Sequence, residues 1–123
     1  MQQRPSAKEL FQKVNSALAA VRAGRYQFPL TKYLVDDLDS LEVADEEALI
    51  ELVIRLLEEI LSLGPQNCYA GGRPPQRSYE PEIREKELWA FAWPSHLLKR
   101  RMYLKFVLKK DVYLHVDCHE DRS

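Results

Sequence analysis

From Arg101 to His119 the sequence alternates chemically capable side chains with apolar ones. Arg101, Tyr103 and Lys105 interleave with Met102, Leu104, Phe106 and Leu108; after Lys109-Lys110-Asp111, the residues Tyr113, His115, Asp117 and His119 interleave with Val112, Leu114, Val116 and Cys118. A period of two is that of a β-strand, in which successive side chains point to opposite faces. Read as two strands of one hairpin, the pattern predicts a polar, basic and aromatic face of Arg101, Tyr103, Lys105, Tyr113, His115, Asp117 and His119, and an apolar face toward a core. Such a face can cleave RNA without a metal: a base takes the ribose 2′-OH proton, cations stabilise the phosphorane, and an acid protonates the leaving 5′ oxygen. His115 or His119 are the acid–base candidates, Tyr103 and Tyr113 the stacking or proton-transfer groups, and Arg101 and Lys105 the charge stabilisers. The plainer alternative is a solvated strand face, polar because it is exposed, whose lysines deter sheet aggregation.

Charge supports a nucleic-acid partner only locally. The 123 residues carry a net charge of −1, but residues 1–71 hold seven Lys/Arg against eleven Asp/Glu, and residues 72–123 hold eleven against eight. Between Lys99 and Lys110 there are six basic residues (Lys99, Arg100, Arg101, Lys105, Lys109 and Lys110) and no acidic one. Lys99, Arg100, Lys109 and Lys110, with Tyr113 for stacking, are accordingly the RNA-binding candidates, through phosphate contacts and base–aromatic contacts. His115, Asp117 and His119 have ligand chemistry, but on a regular strand the two histidines start ~13 Å apart at Cα and converge on one ion only if the strand curls. No metal and no cofactor are therefore assigned. P-loop, GxGxxG, HExxH and GxSxG motifs are absent, as is a plausible Cys/His triad. Cys68 and Cys118 are too few for a disulfide framework and read as a solvent-facing loop thiol and a half-buried strand thiol.

The elements that position this hairpin come earlier. Ser6-Ala7-Lys8-Glu9 is a capping box opening a helix over about 7–23, with Leu10, Phe11, Val14, Leu18 and Val21 as its apolar stripe and Gly24 as its stop. A second, shorter helix is expected over about 32–41, with Thr31 as a cap. Asp45 caps a third that ends at Leu63, before Gly64-Pro65. That third helix is apolar nearly all round, which predicts a central core element or one partly in a protein interface. Seven Gly and Pro residues between 64 and 81 predict one long connection. Trp89, Phe91 and Trp93 then alternate with Leu88, Ala90 and Ala92, a first strand whose aromatics belong to a core or an interface.

The expectation is one α+β domain over 1–123: about three helices within 5–63 packed on one face of a three- or four-stranded antiparallel sheet, with a meander over 87–120. With 46% hydrophobic and 30% charged residues, disorder is excluded, and no apolar run spans a bilayer. The polar N-terminus lacks the apolar core of a secretory signal, so the cytoplasm is the expected location.

Three runs resemble a known family: Glu87-Leu88-Trp89-Ala90-Phe91, then Arg101-Met102-Tyr103-Leu104-Lys105-Phe106, then Val112 to Arg122. Together they are similar to the strand meander of the RelE/ParE-like bacterial toxins, above all the HigB-type branch. That resemblance implies a helical hairpin on a sheet, with Arg25-Tyr26-Gln27-Phe28 standing where the family's first strand would be. It also implies messenger-RNA cleavage, often on the ribosome, held in check by a cognate antitoxin. Arg101 is the candidate for the family's cleavage arginine. The competing functional reading is a non-catalytic interaction module that dimerises or binds a partner through the apolar third helix or the Trp-bearing strand. A neighbouring small acidic reading frame would separate the two.

Overall fold

A computed structural model describes residues 5–28, 32–72 and 86–121. Helix α1 (Ala7–Arg22) starts as the capping box requires, with Ser6 Oγ accepting from Glu9 N at 3.1 Å. It stops where Gly24 takes a φ of +79°, open to glycine at no steric cost. Helix α2 spans Lys32–Ser40, and α3 spans Glu46–Leu63 with Asp45 Oδ1 accepting from Ala48 N at 2.9 Å. The proposed Thr31 cap lies outside the described residues.

The connection predicted over 64–81 is interrupted by a single helical turn, α4 (Pro65–Cys68), followed by a bridge between Tyr69 and Phe91. Pro at the first helical position suits this turn, because its missing N–H would have had no partner there. Residues 73–81 of that connection lie outside the described residues.

Strands β2 (Trp89–Ser95), β3 (Arg100–Lys109) and β4 (Val112–Glu120) form the expected antiparallel meander. Lys110 and Asp111 close the β3–β4 hairpin with φ of +50° and +65°, the left-handed pair of a type I′ turn made without glycine. A two-residue strand, β1 (Tyr26–Gln27), pairs in parallel with Tyr113 and Leu114, giving the order β1-β4-β3-β2. The fold is therefore α+β as expected, with a mixed rather than wholly antiparallel sheet.

The helices cover one face. Trp89, Phe91, Trp93, Met102, Leu104 and Phe106 turn toward them and are buried with Leu10, Val14, Leu49, Val53, Leu56, Leu57 and Ile60. Ile50, Leu52, Ile54 and Leu61, partly buried, also pack on this core, which makes α3 the central core element its pattern predicts. No described helix is long and apolar enough to cross a membrane.

Candidate functional site

On β3 the predicted alternation holds, with Arg101, Tyr103 and Lys105 on the face away from the helices. On β4 it is broken. Lys105 pairs with Asp117 but the next β3 residue, Phe106, pairs with His115, leaving Val116 as the extra residue of a β-bulge. A one-residue insertion reverses the facing of everything before it relative to everything after. Cys118 faces the core and Asp117 and His119 face outward, as expected, whereas Tyr113 and His115 face the helices. Their relative exposures are 0% and 6%.

The single polar face of seven residues is thus corrected to five, Arg101, Tyr103, Lys105, Asp117 and His119. Tyr113 and His115 are withdrawn as surface groups. The physical reason is that both faces of this half of the hairpin are buried. Tyr113 packs between Phe28 and Phe106 at ring-centroid distances of 5.6 and 5.3 Å. Val112, Leu114 and Val116, which alternation alone would send to the core, form a second cluster with Val107 and Leu88 on the other face. Where both faces are apolar, alternation no longer says which is inside.

The outward five form one cluster with Asp121. The Tyr103 and His119 rings stack at 5.1 Å with 17° between planes, and the Lys105 ammonium stands 5.9 Å from the Tyr103 ring centre. His119 Nδ1 lies 2.8 Å from the Glu120 carbonyl, to which it donates, and His119 Nε2 faces Asp117 Oδ2 at 3.3 Å. Arg101 Nε donates to Asp121 Oδ2 at 2.9 Å with its side chain half exposed. Burial, joined by the charges of Asp117 and Asp121, raises the Tyr103 hydroxyl above the ordinary tyrosine range, so it stays a phenol. Burial also raises Asp117, with Asp37 adding to it and His119 and Lys105 opposing.

The basic run is not one patch. Lys99 and Arg100 sit beside this cluster, at the start of β3, while Lys109 and Lys110 lie at the hairpin tip, ~30 Å away along a strand that rises ~3.3 Å per residue. Lys105 stands between the two ends. Lys99, Lys109 and Lys110 are exposed, and Arg100 is half-buried with its Nε sealed from solvent.

Inside, Tyr113 and His115 belong to a buried chain. Burial pushes the Tyr113 hydroxyl well above the ordinary range, so it keeps its proton and donates to His115 Nδ1 at 3.0 Å. His115 Nε2 faces Asp37 Oδ2 at 3.3 Å, and Phe28 stacks on the imidazole at 4.6 Å. Asp37 also accepts from Cys118 N at 2.8 Å, satisfying a strand-edge N–H beyond the reach of the short β1. Asp37 escaped the sequence reading although a signal was there: it falls on the stripe of Leu34, Leu38 and Leu41, and a carboxylate on an apolar stripe must have partners waiting.

Glu59 on α3 is a second residue to which the sequence pattern assigns no role. Its carboxylate accepts from Trp93 Nε1 (2.7 Å), Ser95 Oγ (2.6 Å), His96 N (2.8 Å) and Leu97 N (3.1 Å), tying α3 to the β2–β3 turn that delivers Lys99, Arg100 and Arg101. Both thiols are buried; burial raises Cys68 to about 11 and Cys118 further. Among the described residues no group of three His, Cys, Asp or Glu is placed to hold a metal ion, because the bulge sends His115 inward and Asp117 and His119 outward. In comparisons with known proteins, no family model matches the chain and no curated protein is significantly similar to it.

Proposed function

We propose that the outer face of β3 and β4 binds and cleaves RNA, making this a toxin-like endoribonuclease that works without a metal. The observation that carries the reading is the Tyr103–His119 stack with Asp117 on His119 Nε2 and Lys105 beside the tyrosine. It gathers a base, an acid and a cation, none of which the core needs. His119 Nε2 exchanges Asp117 for the 2′-OH and takes its proton, and the freed 2′ oxygen attacks phosphorus. Lys105 and Arg101 stabilise the phosphorane, the latter turning from Asp121 to phosphate. Tyr103, kept as a phenol, gives its proton to the leaving 5′ oxygen, so the products are a 2′,3′-cyclic phosphate and a free 5′-hydroxyl.

Lys99 and Arg100 extend the phosphate contacts, and Lys109 and Lys110 reach an RNA strand only if it runs the length of the hairpin. The similarity of residues 87–122 to RelE/ParE-like toxins agrees with this chemistry. It points to messenger RNA, on the ribosome, as substrate, and to a cytoplasmic setting with an antitoxin or a second copy covering the face.

The test is cleavage of free and ribosome-bound mRNA by wild type, His119→Ala and Lys105→Ala, with chelator present. Cyclic-phosphate ends from wild type and a loss of roughly 100-fold in each variant are expected. Wild-type protein that leaves both substrates intact defeats the proposal, and cleavage abolished by the chelator defeats its metal-free mechanism.

A further inference from the structure

The outer face is built of three cross-strand rows. Lys105 pairs with Asp117 and Tyr103 with His119, and the ladder runs one step past β4, where Asp121 N donates to the Arg101 carbonyl at 2.9 Å. In this last row the side chains join the same two residues again, Arg101 Nε donating to Asp121 Oδ2 at 2.9 Å. Among the described residues, Arg101 is the one cation of the Lys99–Lys110 run held in an ion pair, and Asp121 is the one hydrogen-bond acceptor its guanidinium meets. To a guanidinium, a carboxylate and a phosphate present the same chemistry: anionic oxygens that take charge-assisted N–H bonds. Asp121 therefore stands where an RNA phosphate would be held. Its backbone is pinned to β3 and its side chain is 18% exposed against 50% for Arg101, so the arginine is the partner with room to move.

We infer that Asp121 is a built-in competitor for the RNA phosphate: it occupies Arg101 in the resting protein, and RNA gains Arg101 only by displacing it. This rests on the reading of the outer face as an RNA site, and it makes Asp121 a residue that sets affinity for RNA without touching the reacting atoms. The same pair also closes the open end of the hairpin, which is the role a purely structural account would give it. The two roles predict opposite results when the charge is removed. With a competitor gone, RNA binds more tightly; with a staple gone, the strand end loosens and RNA binds less tightly.

The experiment is binding of a fluorescein-labelled 2′-O-methyl RNA oligonucleotide, which has no 2′-OH to cleave, followed by anisotropy at several salt concentrations. Wild type, Asp121→Asn, Arg101→Ala and the double variant are compared; asparagine keeps the backbone N–H and the shape of the side chain but not its charge. Asp121→Asn should bind roughly three- to tenfold more tightly, in line with the worth of a partly exposed ion pair. Its plot of log K against log salt should steepen by about 0.7, the mark of one more phosphate neutralised on a single strand. With Arg101→Ala already in place, Asp121→Asn should change affinity by less than about twofold, because the gain passes through Arg101.

Equal or weaker binding by Asp121→Asn, or the same gain with and without Arg101, overturns the inference. If Asp121→Asn does not fold, wild type alone decides: the nitrogen-15 signal of Arg101 Nε should shift as RNA saturates the protein and Asp121 is displaced, and a signal that RNA leaves unchanged overturns it. Cleavage is read separately on unmodified RNA. Tighter binding through Arg101 in a protein that cleaves nothing defeats the enzyme reading and leaves the competitor standing; an active wild type whose Asp121→Asn variant binds no more tightly does the reverse. RNA bound by neither protein at low salt overturns both.

Discussion

Replacing Glu59 by alanine removes one carboxylate and leaves four donors to find new partners. Two of them, His96 N and Leu97 N, lie in an exposed turn where water replaces the lost acceptor. The others are less fortunate: Trp93 is 1% exposed and Ser95 4%, so the indole N–H and the hydroxyl lose an acceptor inside the protein. An unsatisfied buried donor costs about 1–3 kcal/mol. Ser95 Oγ retains its bond from Leu98 N but must find a new acceptor for its own hydrogen. The expected loss is about 2–4 kcal/mol, which in a chain of this length lowers the melting temperature by roughly 8–20 °C.

Because burial alone would raise the Glu59 carboxyl, while Ser95, Trp93, Leu97 and His96 together bring it below its ordinary value of 4.5, the folded-state value is depressed. The sign follows: the stabilisation is complete above 4.5 and is lost as pH falls through the lower folded-state value. Urea unfolding of wild type, Glu59→Ala and Glu59→Gln across that acidic window measures both effects. A Glu59→Ala midpoint within about 0.5 kcal/mol of wild type, or an acid limb unchanged by the substitution, would show that the carboxylate is not the anchor of the turn.

Changes at the two ends of the basic run should separate. Lys105→Ala should abolish most cleavage, whereas Lys109→Ala should cost a few-fold in RNA affinity and flatten its salt dependence, as read by fluorescence titration at several salt concentrations. Asp111→Gly relieves a non-glycine residue at positive φ and should stabilise the protein by about 0.5–1 kcal/mol in thermal unfolding. Tyr113→Phe strips His115 Nδ1 of its donor in a buried site and should destabilise by about 1–3 kcal/mol without touching the outer face, a combination that unfolding and RNA binding measured side by side will detect. Cys68, raised to about 11 by burial, should resist alkylation at neutral pH until the protein unfolds.

What could be read in advance was whatever obeyed a single period. The ends of α1 and α3 follow from Ser6, Gly24 and Asp45, residues whose local chemistry allows little else, and the aromatic face of β2 from strict alternation. The Lys110-Asp111 turn was placed correctly although its residues are poor at positive φ, because the two flanking runs leave no other place to reverse. β1 is two residues long and exists by pairing with Tyr113 and Leu114, so nothing local announces it. α4 is a single turn, below the length at which periodicity means anything.

The bulge at Val116 is the element that alternation could not see, and it is also what divides the polar residues into an outer cluster and an inner chain. Without it, one strand would carry Tyr113, His115, Asp117 and His119 to a single face, either burying two more polar groups or exposing a tyrosine that otherwise packs between Phe28 and Phe106. The extra residue lets β4 keep Tyr113 and His115 inside and turn Asp117 and His119 out. A bulge leaves the strand edge irregular just past the end of β1, and there Asp37 reaches in from α2 to hold the Cys118 N–H. The same carboxylate that satisfies the edge also faces His115 Nε2, so it ties α2 both to the strand edge and to the inner chain. An apolar replacement such as Asp37→Leu would leave the Cys118 N–H and the His115 ring without their acceptor, and should cost about 1–3 kcal/mol for each buried group left unsatisfied.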